Sequence, residues 1–229
     1  MLFRPLLDFI FPPVCHLCNE LLRDGGKVLC GACRSLFVSV DERHPVWLSL
    51  SARLREDGPV EGLLSCYVFE KKGKLQEAMH LLKYRGITSL GVAFGEEIGN
   101  HMLRSGQFRG ADVLIPVPLH KSKQRERGYN QCECICRGIS HVTGIPLVTG
   151  ALLRSRNTAS QTSLRHDERK ANVGGAFRVR KPRAPDIAGK KCILVDDVIT
   201  TGSTLSACAG VLRANGASKI FAASAAIAE

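Results

Sequence analysis

Two adjacent carboxylates, Asp196 and Asp197, follow the apolar run Ile193-Leu194-Val195 and precede Val198-Ile199-Thr200-Thr201-Gly202-Ser203-Thr204. An unbroken apolar run reads as a buried strand, and the hydroxyl- and glycine-rich residues after the acids read as a turn entering a helix. The backbone amides of such a turn and the helix N-terminus attract a phosphate, Thr200, Thr201, Ser203 and Thr204 add hydroxyl donors, and Gly202 permits close backbone approach. The acids repel that phosphate, but they accept hydrogen bonds from vicinal hydroxyls such as those of a ribose. The segment therefore asks for a ribose 5-phosphate. Helix capping alone would account for one acid and one hydroxyl, not for two acids after a wholly apolar strand.

A second cluster is Cys15-x-x-Cys18 and Cys30-x-x-Cys33, two short pairs separated by eleven residues. Each pair wraps a turn whose amides point at the sulfurs, so four thiolates can converge on one tetrahedral Zn²⁺. A closed four-thiolate cage leaves no open coordination position, which makes the metal structural. His16, inside the first pair, is expected at the surface. Cys132, Cys134 and Cys136 fall on an expected helix, where positions two apart face different ways, so these three, like Cys66, Cys192 and Cys208, are expected to be structural.

The chain has 229 residues and a net charge of +11, and from Leu119 to Arg183 there are 14 Lys or Arg against four Asp or Glu. Charge concentrated in one segment implies an anionic ligand there, a polyphosphate or a nucleic-acid backbone. With 45% hydrophobic and 23% charged residues the chain is a folded one, not a disordered one. No stretch is long and apolar enough to span a membrane. Arg4 and an apolar run interrupted by Asp8 and ended by Pro12-Pro13 read as a mature start, not a signal peptide. Ten cysteines without an export signal fit a reducing cytoplasm.

Elements that must position these groups follow from periodicity. A strand is expected over Leu63 to Phe69, helices carrying Leu75, Met79, Leu82 and then Leu90, Phe94, Ile98, Met102, and a buried strand over Asp112 to Pro118. A helix is expected over Gly128 to Ser140. Leu153 to Gly175 reads as a long functional loop with a short helix at Leu164 to Asn172. A strand at Cys192 to Val195, a helix over Ser203 to Ala214 and a strand over Lys219 to Ile227 complete the chain. Strands alternating with helices give a mostly parallel α/β sheet, with 1–40 as an N-terminal helix and zinc module and 41–229 as the main domain.

The twelve residues Ile193 to Thr204 resemble the type I phosphoribosyltransferase signature. Leu82-Lys83-Tyr84-Arg85-Gly86, Ile115-Pro116-Val117-Pro118-Leu119-His120, Arg125-x-Arg127-Gly128-Tyr129-Asn130-Gln131 and Gln161-x-x-Leu164-x-x-x-x-Arg169-x-x-Asn172 are similar to the ComF family. Those proteins join a small zinc module to a type I phosphoribosyltransferase fold and are associated with natural competence. The resemblance implies phosphoribosyl diphosphate as ligand, with Mg²⁺ bridging its diphosphate, and transfer of the phosphoribosyl group to an unidentified acceptor. It implies that Asp196 and Asp197 orient the ribose, that the loop Pro116 to Lys123 receives the diphosphate, and that a mobile loop at about Arg154 to Asn172 folds over the site. Lys83, Arg85, Pro118, Lys121, Arg127, Asn130 and Arg169 are the further ligand contacts it suggests. Because the last strand ends close to Glu229, acceptor recognition is expected from the zinc module and Leu36 to Arg85, where Phe37, Trp47 and Tyr67 serve either that surface or the core. The family association also implies an alternative, a non-catalytic single-stranded-DNA-binding accessory to a helicase-like ATPase. A content of only 6% aromatic residues offers few stacking platforms for it.

Overall fold

A computed structural model of the chain describes residues 12–22, 28–155 and 175–228. Four strands, β1 (Gly62–Val68), β2 (Val113–Pro116), β5 (Lys191–Ile199) and β6 (Lys219–Ile227), form an all-parallel sheet in the order β1-β6-β5-β2. Two short strands, β3 (Leu152–Arg154) and β4 (Phe177–Val179), pair antiparallel in a separate sheet. Ile193, Leu194 and Val195 of β5 are fully buried, as an apolar run covered on both faces requires.

Helices cover the two faces. Leu50 and Leu54 of α2 (Pro45–Asp57) and Leu205 and Leu212 of α7 (Ser203–Ala214) pack with Leu194 in one core cluster. The other cluster joins Ile193 and Val195 to α3 (Lys74–Tyr84), α4 (Thr88–Ser105) and α6 (Gln131–Thr143). The expected periodic sets Leu75, Met79, Leu82 and Leu90, Phe94, Ile98, Met102 are all at most 3% exposed. α4 and α6 meet at glycines. A Cβ on Gly95 would lie 2.0 Å from the Ile135 carbonyl oxygen, and one on Gly138 would lie 2.1 Å from that of Val92.

Several expectations change. The loop expected over Pro116 to Lys123 is shorter, because α5 (Lys121–Arg127) begins inside it, capped by His120 Nδ1 accepting from the Ser122 amide at 3.3 Å. The helix expected from Gly128 starts at Gln131 instead. Gly128, at φ 81°, ends α5 in the left-handed region, and Asn130 caps α6. Helix α2, which buries Trp47, Leu50 and Leu54 at helical spacing, and the β3–β4 pair are elements beyond those expected. The helix expected at Leu164 to Asn172, most of the expected mobile loop, and the N-terminal helix before Pro12 lie outside the described residues. Among the described residues no helix is long and apolar enough to cross a membrane.

The N-terminal module is stitched to the main sheet. Residues 38–40 run antiparallel along β1, with Val68 N–H donating to Val38 O at 2.8 Å and Val40 N–H to Cys66 O at 3.0 Å. Phe37 packs edge-on against Tyr67, ring centroids 5.2 Å apart, and beside Phe94. Phe37, Trp47 and Tyr67 are each no more than 8% exposed, so all three belong to the core.

Candidate functional site

Parallel strands deliver their following loops to one edge of a sheet, and ligands of open α/β folds gather there. Here β2 and β5 are neighbours, with Pro116 opposite Val195 and the Val117 amide donating to Val195 O at 2.9 Å. The loop Val117 to His120 and the turn Thr200 to Gly202 therefore leave the sheet side by side. Arg154 bridges to His120, so the described entrance to the segment 156–174 stands at the same edge.

The turn after β5 has the expected form. Gly202 caps α7 at φ 79°, and its Cβ position would be 2.9 Å from Leu54 Cδ2, so α2 closes beneath the turn. Both constraints demand glycine. Thr201 Oγ1 and Ser203 Oγ are 2.9 Å apart, and Arg53 donates to the Thr201 carbonyl from the other side.

The two acids differ sharply. Successive strand residues point to opposite faces, and Asp197 enters the face of α3, where Lys83 Nζ meets its Oδ2 at 2.5 Å. Asp197 Oδ1 accepts from the Val198 amide at 2.9 Å. Asp196, the more exposed of the pair, accepts at Oδ1 from the Asp197 amide at 2.9 Å and from the Cys132 thiol at 3.4 Å. Crowded surroundings and the neighbouring Asp197 charge push the Asp196 carboxyl up to about 7. Burial also opposes ionisation of Asp197, but the Lys83 ammonium and the Val198 amide outweigh it and hold that carboxyl below its ordinary value. Asp197 thus ionises more readily than Asp196.

The end of α3 is anchored beside them. Tyr129 Oη donates to the Leu82 carbonyl, the Arg127 guanidinium lies 5.3 Å from the centre of the Tyr84 ring, and Arg127 also donates to Gln131. These contacts bring together two separate sequence stretches, Leu82 to Gly86 and Arg125 to Gln131. Arg85 and Lys121 are exposed, and Pro118 is half-buried in the loop after β2. Asn130 is only 5% exposed and is held by backbone: its amide nitrogen donates to Val117 O and its oxygen caps α6 at the Cys132 amide, both at 3.0 Å. It fastens the β2 loop to α6. Arg169 lies outside the described residues.

Two features were not legible in the sequence. Nothing in the spacing of Lys83 and Asp197, 114 positions apart in the chain, announces their contact. Cys132, expected to be purely structural, places its thiol against Asp196 because the Asn130 cap sets it in the first turn of α6.

The four N-terminal cysteines do converge. Sulfurs of Cys15, Cys18, Cys30 and Cys33 all lie within 4.8 Å of one another. Asn19, at φ 61°, closes the first knuckle by donating to the Cys15 carbonyl at 2.8 Å. Cys30 caps α1 (Gly31–Arg34), taking the Cys33 amide on its sulfur at 3.4 Å. Burial resists ionisation of Cys15, yet amides of Cys30, Leu17 and Cys18 bring its thiol down to about 6. Four sulfurs in an amide-lined cage fit a tetrahedral metal ion such as zinc. His16 stands outside the cluster. The cage bears on the main domain through Arg34, paired with Glu97 at 2.6 Å, and through Phe37. Converting Cys15 and Cys18 to Ser is expected to remove the bound metal and open residues 12–40 to protease, because so small a module lacks a core of its own. Metal analysis and limited proteolysis check this, and unchanged metal content with unchanged cleavage would contradict it.

The phosphoribosyl transferase domain family matches residues 139–227, which contain the β5 acids and the turn. The chain is 29% identical over 210 residues to the DNA utilization protein YhgH of Salmonella typhimurium, covering 90% of this chain and 87% of that one. It is 34% identical to Competence protein F of Haemophilus influenzae over 117 residues, 51% of each chain. It is 26% identical to Competence protein ComFC of Bacillus subtilis over 206 residues, covering 89% of this chain and 79% of the other.

Proposed function

Because the chain belongs to the ComF family and carries a phosphoribosyltransferase domain, we propose that it binds phosphoribosyl diphosphate and transfers the phosphoribosyl group to an acceptor, releasing diphosphate. The observation that carries this reading is the acid pair and glycine turn at the end of β5, adjoining the β2 loop. In the reaction the bond from the anomeric carbon to the diphosphate oxygen breaks, its electron pair leaves with diphosphate, and a lone pair of the acceptor forms the new bond. The amides of Thr200 to Thr204 enclose the 5-phosphate, and the ribose hydroxyls donate to Asp196 and Asp197. Lys121 and Arg127, with Lys83, Arg85 and Arg169, offset the diphosphate charge, while Pro118 and Asn130 shape the loop that receives it. Mg²⁺ carried with the diphosphate would neutralise charge on the leaving group. In this proposal residues 1–40 are a zinc-held module, 41–229 the transferase domain, and the protein works in the cytoplasm.

A second reading rests on a specific feature. Tyr84 is 62% exposed, lies beside His80 with ring centroids 4.9 Å apart and the rings tilted by 44°, and sits under Arg127 beside the basic α5. An aromatic and cationic face of this kind suits single-stranded nucleic acid, and relatives are named for DNA utilization and competence. It would serve DNA uptake with a helicase-like ATPase as partner. Competition orders the two readings. Phosphoribosyl diphosphate is expected to displace or weaken bound single-stranded DNA at physiological salt, with acceptor-dependent diphosphate release marking the enzyme. Tight DNA binding indifferent to phosphoribosyl diphosphate, with no release from any nucleobase or amine acceptor, would favour the accessory reading.

A further inference from the structure

Lys83 has an unusual station. Its ammonium is 2.5 Å from Asp197 Oδ2, with side-chain exposure of 24% for the lysine and 7% for the acid. That oxygen is buried and has no hydrogen bond of good geometry, so the ion pair is its compensation. The other hydrogen bonds of the acid pair come from the Val198 and Asp197 amides and, on α6, from the Cys132 thiol.

The lysine is held where it stands. It occupies the last turn of α3, where the carbonyl end of the helix favours a cation. Tyr129 fastens the preceding carbonyl and Arg127 covers the following Tyr84. Meanwhile one ligand atom each from Cys132, Asp196 and Asp197 falls within 4.8 Å of the others. A divalent cation could span that distance, yet a fixed ammonium already supplies positive charge there.

We propose that Lys83 is the built-in counter-ion of the acid pair. It keeps a free divalent cation from settling between the carboxylates, and it yields Asp197 when ribose hydroxyls arrive, turning its ammonium to the anionic oxygens of the ligand. A divalent cation then enters the site only together with the diphosphate. Exclusion of the free cation follows from the geometry alone, whereas the hand-over rests on the ribose-phosphate reading above. Physically, a cation entering beside Asp197 must displace an ammonium in a partly dehydrated pocket, where charge interactions are several times stronger than in water.

Mn²⁺ without any phosphate ligand is the probe, followed by electron paramagnetic resonance on the full chain with its cysteine cage loaded with zinc. Wild type and Lys83→Arg are expected to bind Mn²⁺ weakly. Lys83→Met is expected to bind it at least about tenfold more tightly, since an opposite charge at this range is worth one or more decades in a carboxylate equilibrium. Adding Asp196→Asn to Lys83→Met should abolish the gain. Should Lys83→Met fail to fold, Lys83→Gln keeps a polar group against Asp197 and is expected to behave alike. Equal Mn²⁺ affinity in wild type and the uncharged variants overturns the counter-ion. A parallel titration with phosphoribosyl diphosphate separates the two ideas: no binding to wild type defeats the ribose-phosphate reading and the hand-over, but leaves the Mn²⁺ result standing. Where the ligand binds, Lys83→Met should weaken it and Lys83→Arg should recover part of the loss.

Discussion

Asp196→Asn is expected to raise the folding stability of the ligand-free protein at neutral pH, and Asp197→Asn to lower it, although both weaken ligand binding. Asp196 is crowded and faces the Asp197 charge, which lifts its carboxyl from 3.8 to about 7. A carboxyl raised on folding contributes stability in full below its unfolded value and loses it as pH rises through the folded one. Wild-type stability should therefore fall between pH 4 and 7 by on the order of 1–3 kcal/mol relative to Asp196→Asn. Asp197 has the opposite balance, because its replacement strands the largely buried Lys83 ammonium at a cost of about 1–3 kcal/mol, less than for a fully buried pair. Each variant loses a charge-assisted hydrogen bond to the ribose worth about 1.5–3 kcal/mol, roughly tenfold or more in affinity. Urea denaturation at pH 4 and pH 7 gives the stabilities, and shifts of the two variants in the same direction would contradict this assignment of the acids.

The second large effect lies away from the site. Gly95→Ala and Gly138→Ala each place a methyl group about two ångströms from a backbone carbonyl oxygen of the facing helix, at Ile135 and Val92 respectively. Neither neighbour is a flexible side-chain end, so α4 and α6 must move apart. The expected cost is about 3 kcal/mol or more for each, the upper range of overpacking. Gly91→Ala, whose methyl would meet Cys134 Cβ at 2.7 Å, should cost less because the overlap is smaller. Since α6 carries Cys132 and begins at the Asn130 cap that holds the β2 loop, the first two variants should also weaken ligand binding. Denaturation midpoints test the order, and midpoints for Gly95→Ala and Gly138→Ala within error of wild type would contradict so close a crossing.

Much of this architecture is written in local pattern. The apolar run Cys192 to Val195, the helical spacing of Leu90, Phe94, Ile98 and Met102, and the doubled Cys-x-x-Cys pairs each carry their structure within a few residues, and the strands, helices and sulfur cluster appear where those patterns lie. The turn after β5 is legible for the same reason, because glycine and hydroxyls gather in one short stretch. Contacts across the sheet are different in kind. Lys83 meets Asp197, and Cys132 meets Asp196, only after α3 and α6 pack beside β5, and no spacing in the chain encodes those meetings. Asn130 is instructive in another way. The motif around it suggests a ligand contact, but burial and two backbone hydrogen bonds make it a brace for the β2 loop. Helix α5 arose unannounced because its residues, Lys121 to Arg127, are all polar and its limits are set by a histidine cap and a left-handed glycine.

In the proposed function the turn after β5 binds a ribose 5-phosphate, with Asp196 and Asp197 on its hydroxyls. Calorimetric titration of the zinc-loaded protein with phosphoribosyl diphosphate and Mg²⁺, repeated on Asp196→Asn, tests it most directly. Saturable binding to wild type is expected, weakened at least about tenfold in the variant while the variant remains folded. Equal affinity of the two proteins, or no heat of binding with wild type, would contradict it.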